Sequence, residues 1–142
     1  MIPKIIFRYS ETYDQILRES YEFHGLHKKK GDRVKKWHSS KEILNNIEKI
    51  EKIWEKDEKK VLKEISTVYG LEWREKEIYC YMTGREEYFA FSDPLTLPFY
   101  KTIDVFIDIL VHELTHRILQ DDKVNWQKFE KAWEYIKQKY KN

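Results

Sequence analysis

A chain of 142 residues is long enough to bury its apolar side chains around one core without disulfide help, so a single domain over 1–142 is expected. Its 27 basic and 25 acidic residues leave a formal charge of only +2, too balanced to mark a nucleic-acid binder. With 37% charged and 15% aromatic residues and no bilayer-length apolar run, the composition excludes a disordered chain and a membrane-spanning one. The single cysteine, Cys80, excludes an internal bridge and a Cys-rich zinc finger. Because the apolar part of Met1 to Arg8 is short and soon interrupted by charge, no secretory signal is read, and a cytoplasmic location is expected.

In chain order, Lys4 to Tyr9 reads as a strand, and Ser10 offers an N-cap for a helix over Glu11 to His24. The cationic, glycine-containing stretch from His24 to His38 lacks an apolar period and reads as a solvated loop. Ser39 and Glu42 form a capping-box pattern, after which apolar residues from Ile43 to Val68 recur at helical spacing. Gly70 stops this long amphipathic helix, and Asp57 marks a point where it could break. Ile78 to Tyr81 and Tyr88 to Phe91, separated by Thr-Gly-Arg-Glu-Glu, predict two strands joined as a hairpin. Pro94 and Pro98 then punctuate a loop. Thr102 caps an almost wholly apolar helix over Ile103 to Leu119, Asp121 and Asp122 end it, and a last amphipathic helix runs from Trp126 to Tyr140.

Inside the apolar helix lies His112-Glu113-Leu114-Thr115-His116, a His-Glu-x-x-His motif of the kind that marks metalloproteases. Four residues advance a helix by about 6 Å and about 400°, so both imidazoles leave one face and can meet a single Zn²⁺. Glu113 sits about 100° further round. It is placed to take a proton from a metal-bound water, not to ligate the metal. Three ionisable groups among Ile, Val, Phe and Leu are costly to bury unless a metal satisfies them, which favours this reading over a chance spacing of two histidines.

A catalytic zinc takes a third protein ligand and keeps one position open. No histidine follows His116, and the last helix carries Glu130 and Glu134 on one flank. In a helical hairpin turning near Asp121 to Val124, Glu130 lies about 7–8 Å along the returning helix and Glu134 about 13 Å along. Glu130 is therefore preferred as ligand, with Glu134 accepting an imidazole N–H from outside the metal's own ligands. Glutamates on a helix flank are usually solvated, so the assignment stays open between Glu130, Glu134 and neither. Asp108 extends the histidine stripe but spreads it over about 12 Å, so it reads as an orienting carboxylate or a solvated residue.

His112-Glu113-Leu114-Thr115-His116 followed by Glu130-Lys-Ala-Trp-Glu134 resembles the gluzincin branch of the zincin metallopeptidases, with Glu134 where thermolysin-type proteins carry Asp. The short chain is similar to the archaeal minigluzincins. The resemblance implies an α+β fold: a small mixed β-sheet with a backing helix, an active-site helix and a glutamate helix. It also implies an edge strand that binds extended peptide, and latency through self-association. The spacing from His116 to either glutamate is shorter than in most gluzincins. The expected function is thus a zinc-dependent peptidase, a metalloendopeptidase acting on peptide or protein through a metal-bound water activated by Glu113. The alternatives are an inactive or latent zinc-binding protein, a structural zinc site, and a nucleic-acid-binding module using the basic loop 27–37, where lysines and arginines surround Trp37.

Overall fold

The strands form one four-stranded sheet in the order β1-β2-β4-β3, where β1 is Lys4–Arg8, β2 Glu77–Glu86, β3 Phe91–Ser92 and β4 Leu95–Phe99. The computed structural model describes residues 1–23, 37–86 and 90–119, together with Glu134 and Gln138. β1, β2 and β4 run parallel, and β3 pairs antiparallel with β4. The helices of this α+β fold are α1 (Glu11–Phe23), α2 (Ser40–Tyr69) and α3 (Ile103–Ile118).

β1 alternates as a half-buried strand must: Ile5 and Phe7 are buried and Lys4 and Arg8 exposed. Its free edge is blunted by α2, because the Ile5 N–H donates to the Glu58 carboxylate. α2 is the backing helix. It begins at a complete capping box between Ser39 and Glu42, and ends at Gly70, whose φ of 65° only a residue without Cβ adopts at little cost. Ile43, Ile47, Ile50, Trp54, Val61, Leu62 and Ile65 form its buried stripe. The helix passes Asp57 without a break, since the apolar stripe resumes at Val61 on the same face and holds the turns between in register.

The expected hairpin, with its turn beginning at Thr83-Gly84, is corrected by the structure. β2 continues through both residues to Glu86, pairing with β1 up to Tyr81 and with β4 from Tyr81 on, with a shift of register against β4 between Met82 and Glu86. The hairpin lies later, where Asp93 and Pro94 join β3 to β4, and Pro98 is inside β4, not in a loop. Gly84 serves close approach instead of a turn: a Cβ there would stand 2.5 Å from the His38 carbonyl oxygen and 2.8 Å from the Trp37 ring. Residues 87–89, the end of the expected turn and the start of the second expected strand, lie outside the described residues, as do the basic stretch 24–36 and, apart from two positions, the expected last helix.

The end of the expected solvated loop is in fact packed. His38 is buried, stacks on Phe99 at 3.6 Å, and places its ring nitrogens 2.7 Å from Glu42 and 2.6 Å from Glu86. Trp37 donates its indole N–H to Asp14 at 3.0 Å, and the other Asp14 oxygen accepts from the Gly84 N–H at 2.9 Å. Buried polar groups are tolerated here because each meets a partner.

α3 packs on the sheet beside α2, with Phe106 against Phe7 and Tyr100 at ring separations of 5.8 and 5.6 Å. Ile5, Phe7, Ile78, Cys80, Met82, Leu95 and Leu97 join Leu110, Val111 and Leu114 in one core. α1 covers part of the opposite sheet face, where Tyr13 meets Tyr81 edge-on and shares a hydrogen bond with Thr96. Among the described residues no helix is long and apolar enough to cross a membrane.

Candidate metal centre

α3 begins at Thr102, which occupies the N-cap position with extended backbone but makes no side-chain cap hydrogen bond. Burial on the sheet fixes the helix in its place: Phe106, Ile107, Leu110, Val111, Leu114 and Ile118 are all covered. The motif occupies its last two turns, where the partial negative charge of a helix C-terminus favours a cation. Further support comes from α2, whose Tyr69 hydrogen-bonds the Thr115 side chain, while Thr115 itself donates to the Val111 carbonyl at 2.8 Å.

His112 and His116 are half-buried and turn their rings toward each other at 81°, bringing the two Nε2 atoms to 3.0 Å. Two nitrogens bound to one tetrahedral ion at about 2.0–2.1 Å would stand roughly 3.3 Å apart, so the pair suits two ligands of such an ion. Burial lowers the His116 imidazole below its ordinary value of 6.5, which favours the neutral ring that a metal requires. Glu113 is buried, and burial raises its carboxyl from 4.5 to about 6, within the range suited to a general base near neutral pH.

His112, Glu113 and His116 lie together on α3, as their helical spacing requires. The remaining donors are not brought to the pair by the described residues: Glu130 lies outside them, and Glu134 is a helical, exposed position. Among the described residues no group of three or more His, Cys, Asp or Glu side chains is arranged to hold a metal ion. Asp108 is half-buried, one turn before His112.

Two neighbours were not foreseen. Arg117 follows the motif directly and binds Glu75 through two hydrogen bonds of 2.9 Å and the Ser92 carbonyl through one of 2.8 Å. The signal was available, since Arg117 stands four residues after Glu113 and so shares its side of the helix. Tyr100 is buried near Glu113, and its hydroxyl is raised by burial, then by Cys80 and Glu113. Nothing in the local sequence pattern points to it, because the approach of Tyr100 depends on how β4 turns into α3.

No protein-family model, curated protein or solved structure matches the chain.

Proposed function

We propose that the protein is a zinc-dependent peptidase whose metal is held by His112 and His116, with a carboxylate of the last segment, Glu130 in the preferred assignment, as third ligand. The observation that carries this reading is the convergence of the two Nε2 atoms at 3.0 Å beside a buried Glu113. A half-buried imidazole pair facing nitrogen to nitrogen is arranged to share one cation. When bound, zinc would polarise a peptide carbonyl and make a coordinated water acidic near neutral pH. Glu113, whose carboxyl burial raises to about 6, is ionised above that pH and would serve as the base that takes a proton from the water adding to the peptide carbonyl and passes it to the amine as the C–N bond breaks. The apolar body of α3 holds these groups on a rigid scaffold, which catalytic geometry requires. Peptide or protein is the substrate class, the cytoplasm is the expected compartment, and latency through self-association remains part of the proposal.

Trp37, the aromatic on which a nucleic-acid reading of the basic loop 27–37 relied, has its indole N–H committed to Asp14. The test is the zinc content of the purified protein, measured with cleavage of fluorescein-labelled casein. One zinc per chain with chelator-sensitive cleavage supports the reading, and a chain that takes up no zinc refutes it.

A further inference from the structure

Arg117 does more than fill a surface position. Its side chain is only 14% exposed, and it joins three separate parts of the chain. It belongs to α3, next to His116; it grips Glu75, just before β2, at 2.9 Å through both Nε and Nη2; and its Nη1 donates to the Ser92 carbonyl of β3 at 2.8 Å. The same Nη1 stands 3.7 Å from the Asp93 carboxylate in the turn that follows. Planar guanidinium pairing of this kind fixes orientation as well as distance, because two parallel bonds to one carboxylate leave the fork little freedom.

β3 has two residues, pairs among the described residues with β4, and lies against α3, where Arg117 holds its Ser92 carbonyl. It is the outermost strand of the sheet among the described residues. Glu113 and Arg117 lie one turn apart on α3, so the strand gripped by Arg117 is tied to the helix one turn from Glu113 and next to His116. An extended peptide that adds to such an edge gains main-chain hydrogen bonds and is aligned by it. The spacing between that edge and the imidazole pair then decides whether a peptide bond arrives in reach.

We propose that Arg117 is a positioning residue that sets this spacing: by tying β3 to the metal helix through Ser92 and Glu75, it fixes the wall on which an extended peptide lies. The proposal rests on the metallopeptidase reading and names the substrate as an extended peptide that contacts β3. It makes a distinction that a merely structural role would not. A long peptide should depend on Arg117, and a short one that reaches only the metal helix should not.

The experiment uses the zinc-loaded full chain with internally quenched peptides of three and of eight residues, comparing the parent with Arg117→Gln and Arg117→Lys. The expected result is unchanged zinc content in both variants and tripeptide cleavage within about twofold of the parent. kcat for octapeptides should fall about 10-fold in Arg117→Gln with KM much less affected, since a wall displaced by about 1 Å misplaces the peptide bond. Arg117→Lys keeps the charge but loses the fork and should lie between the two. Octapeptide and tripeptide cleavage falling by the same factor, or octapeptide kcat unchanged in Arg117→Gln, overturns the role of Arg117 while leaving the peptidase reading intact. A parent that cleaves neither peptide overturns both. Should Arg117→Gln lose zinc or unfold, Glu75→Gln, which weakens the same grip from the far side, must reproduce the octapeptide effect or the proposal fails.

Discussion

The Nε2 atoms of His112 and His116 stand 3.0 Å apart on successive turns of α3, a separation that suits two ligands meeting at one point. If that point is a zinc position, removing either ring leaves too few donors. His112→Ala and His116→Ala should each weaken zinc affinity by more than about 100-fold, beyond the 10–100-fold that loss of an outer hydrogen-bonding partner produces. Zinc titration against a competing chelator measures this, and affinity equal to the parent's would contradict it.

Glu130 and Glu134 divide in the same assay. Glu130→Ala should lower affinity as a lost ligand does, and Glu134→Ala by about 10–100-fold at most. The reverse order would transfer the ligand role to Glu134.

The acid titration of Glu113 gives a prediction for the metal-free chain. Burial raises its carboxyl from 4.5 to about 6, so between those values the folded chain binds more protons than the unfolded one. The contribution of this group to stability is therefore fully present below about pH 4.5 and is lost as pH rises to about 6. Glu113→Gln has no such titration. The melting temperature of the variant, measured with chelator present, should gain on the parent's across that window, and an offset independent of pH would contradict the assignment.

Gly84→Ala tests the packing that places β2. The added methyl would stand 2.5 Å from the His38 carbonyl and 2.8 Å from the Trp37 ring, and the backbone atom among these cannot rotate away. A loss of about 1–3 kcal/mol in urea unfolding is expected, the usual cost of overpacking.

Helices were legible in the sequence because their signals are local. The capping box of Ser39 and Glu42, the stop at Gly70 and the apolar run after Thr102 each act within a few residues, and α2 and α3 begin where those signals stand. The sheet was less legible. Thr83-Gly84 looks like a turn by composition, yet Gly84 is a strand residue whose missing Cβ admits the backbone of His38, a contact 46 residues away in sequence that no local pattern encodes. In the same way His112, Glu113 and His116 were legible from helical spacing alone. The clamp from Arg117 to Glu75 joins residues 42 apart, and only the fold brings them together.

The central claim is that Glu113 acts on water while the histidines hold the metal, and Glu113→Gln tests it most directly. Parent and variant should be compared for zinc per chain and for casein cleavage in the same preparation. The account predicts one zinc in each and a loss of cleavage of about 10²–10⁴-fold in the variant, the range that general-base catalysis supplies. Cleavage by Glu113→Gln at the parent's rate would contradict it.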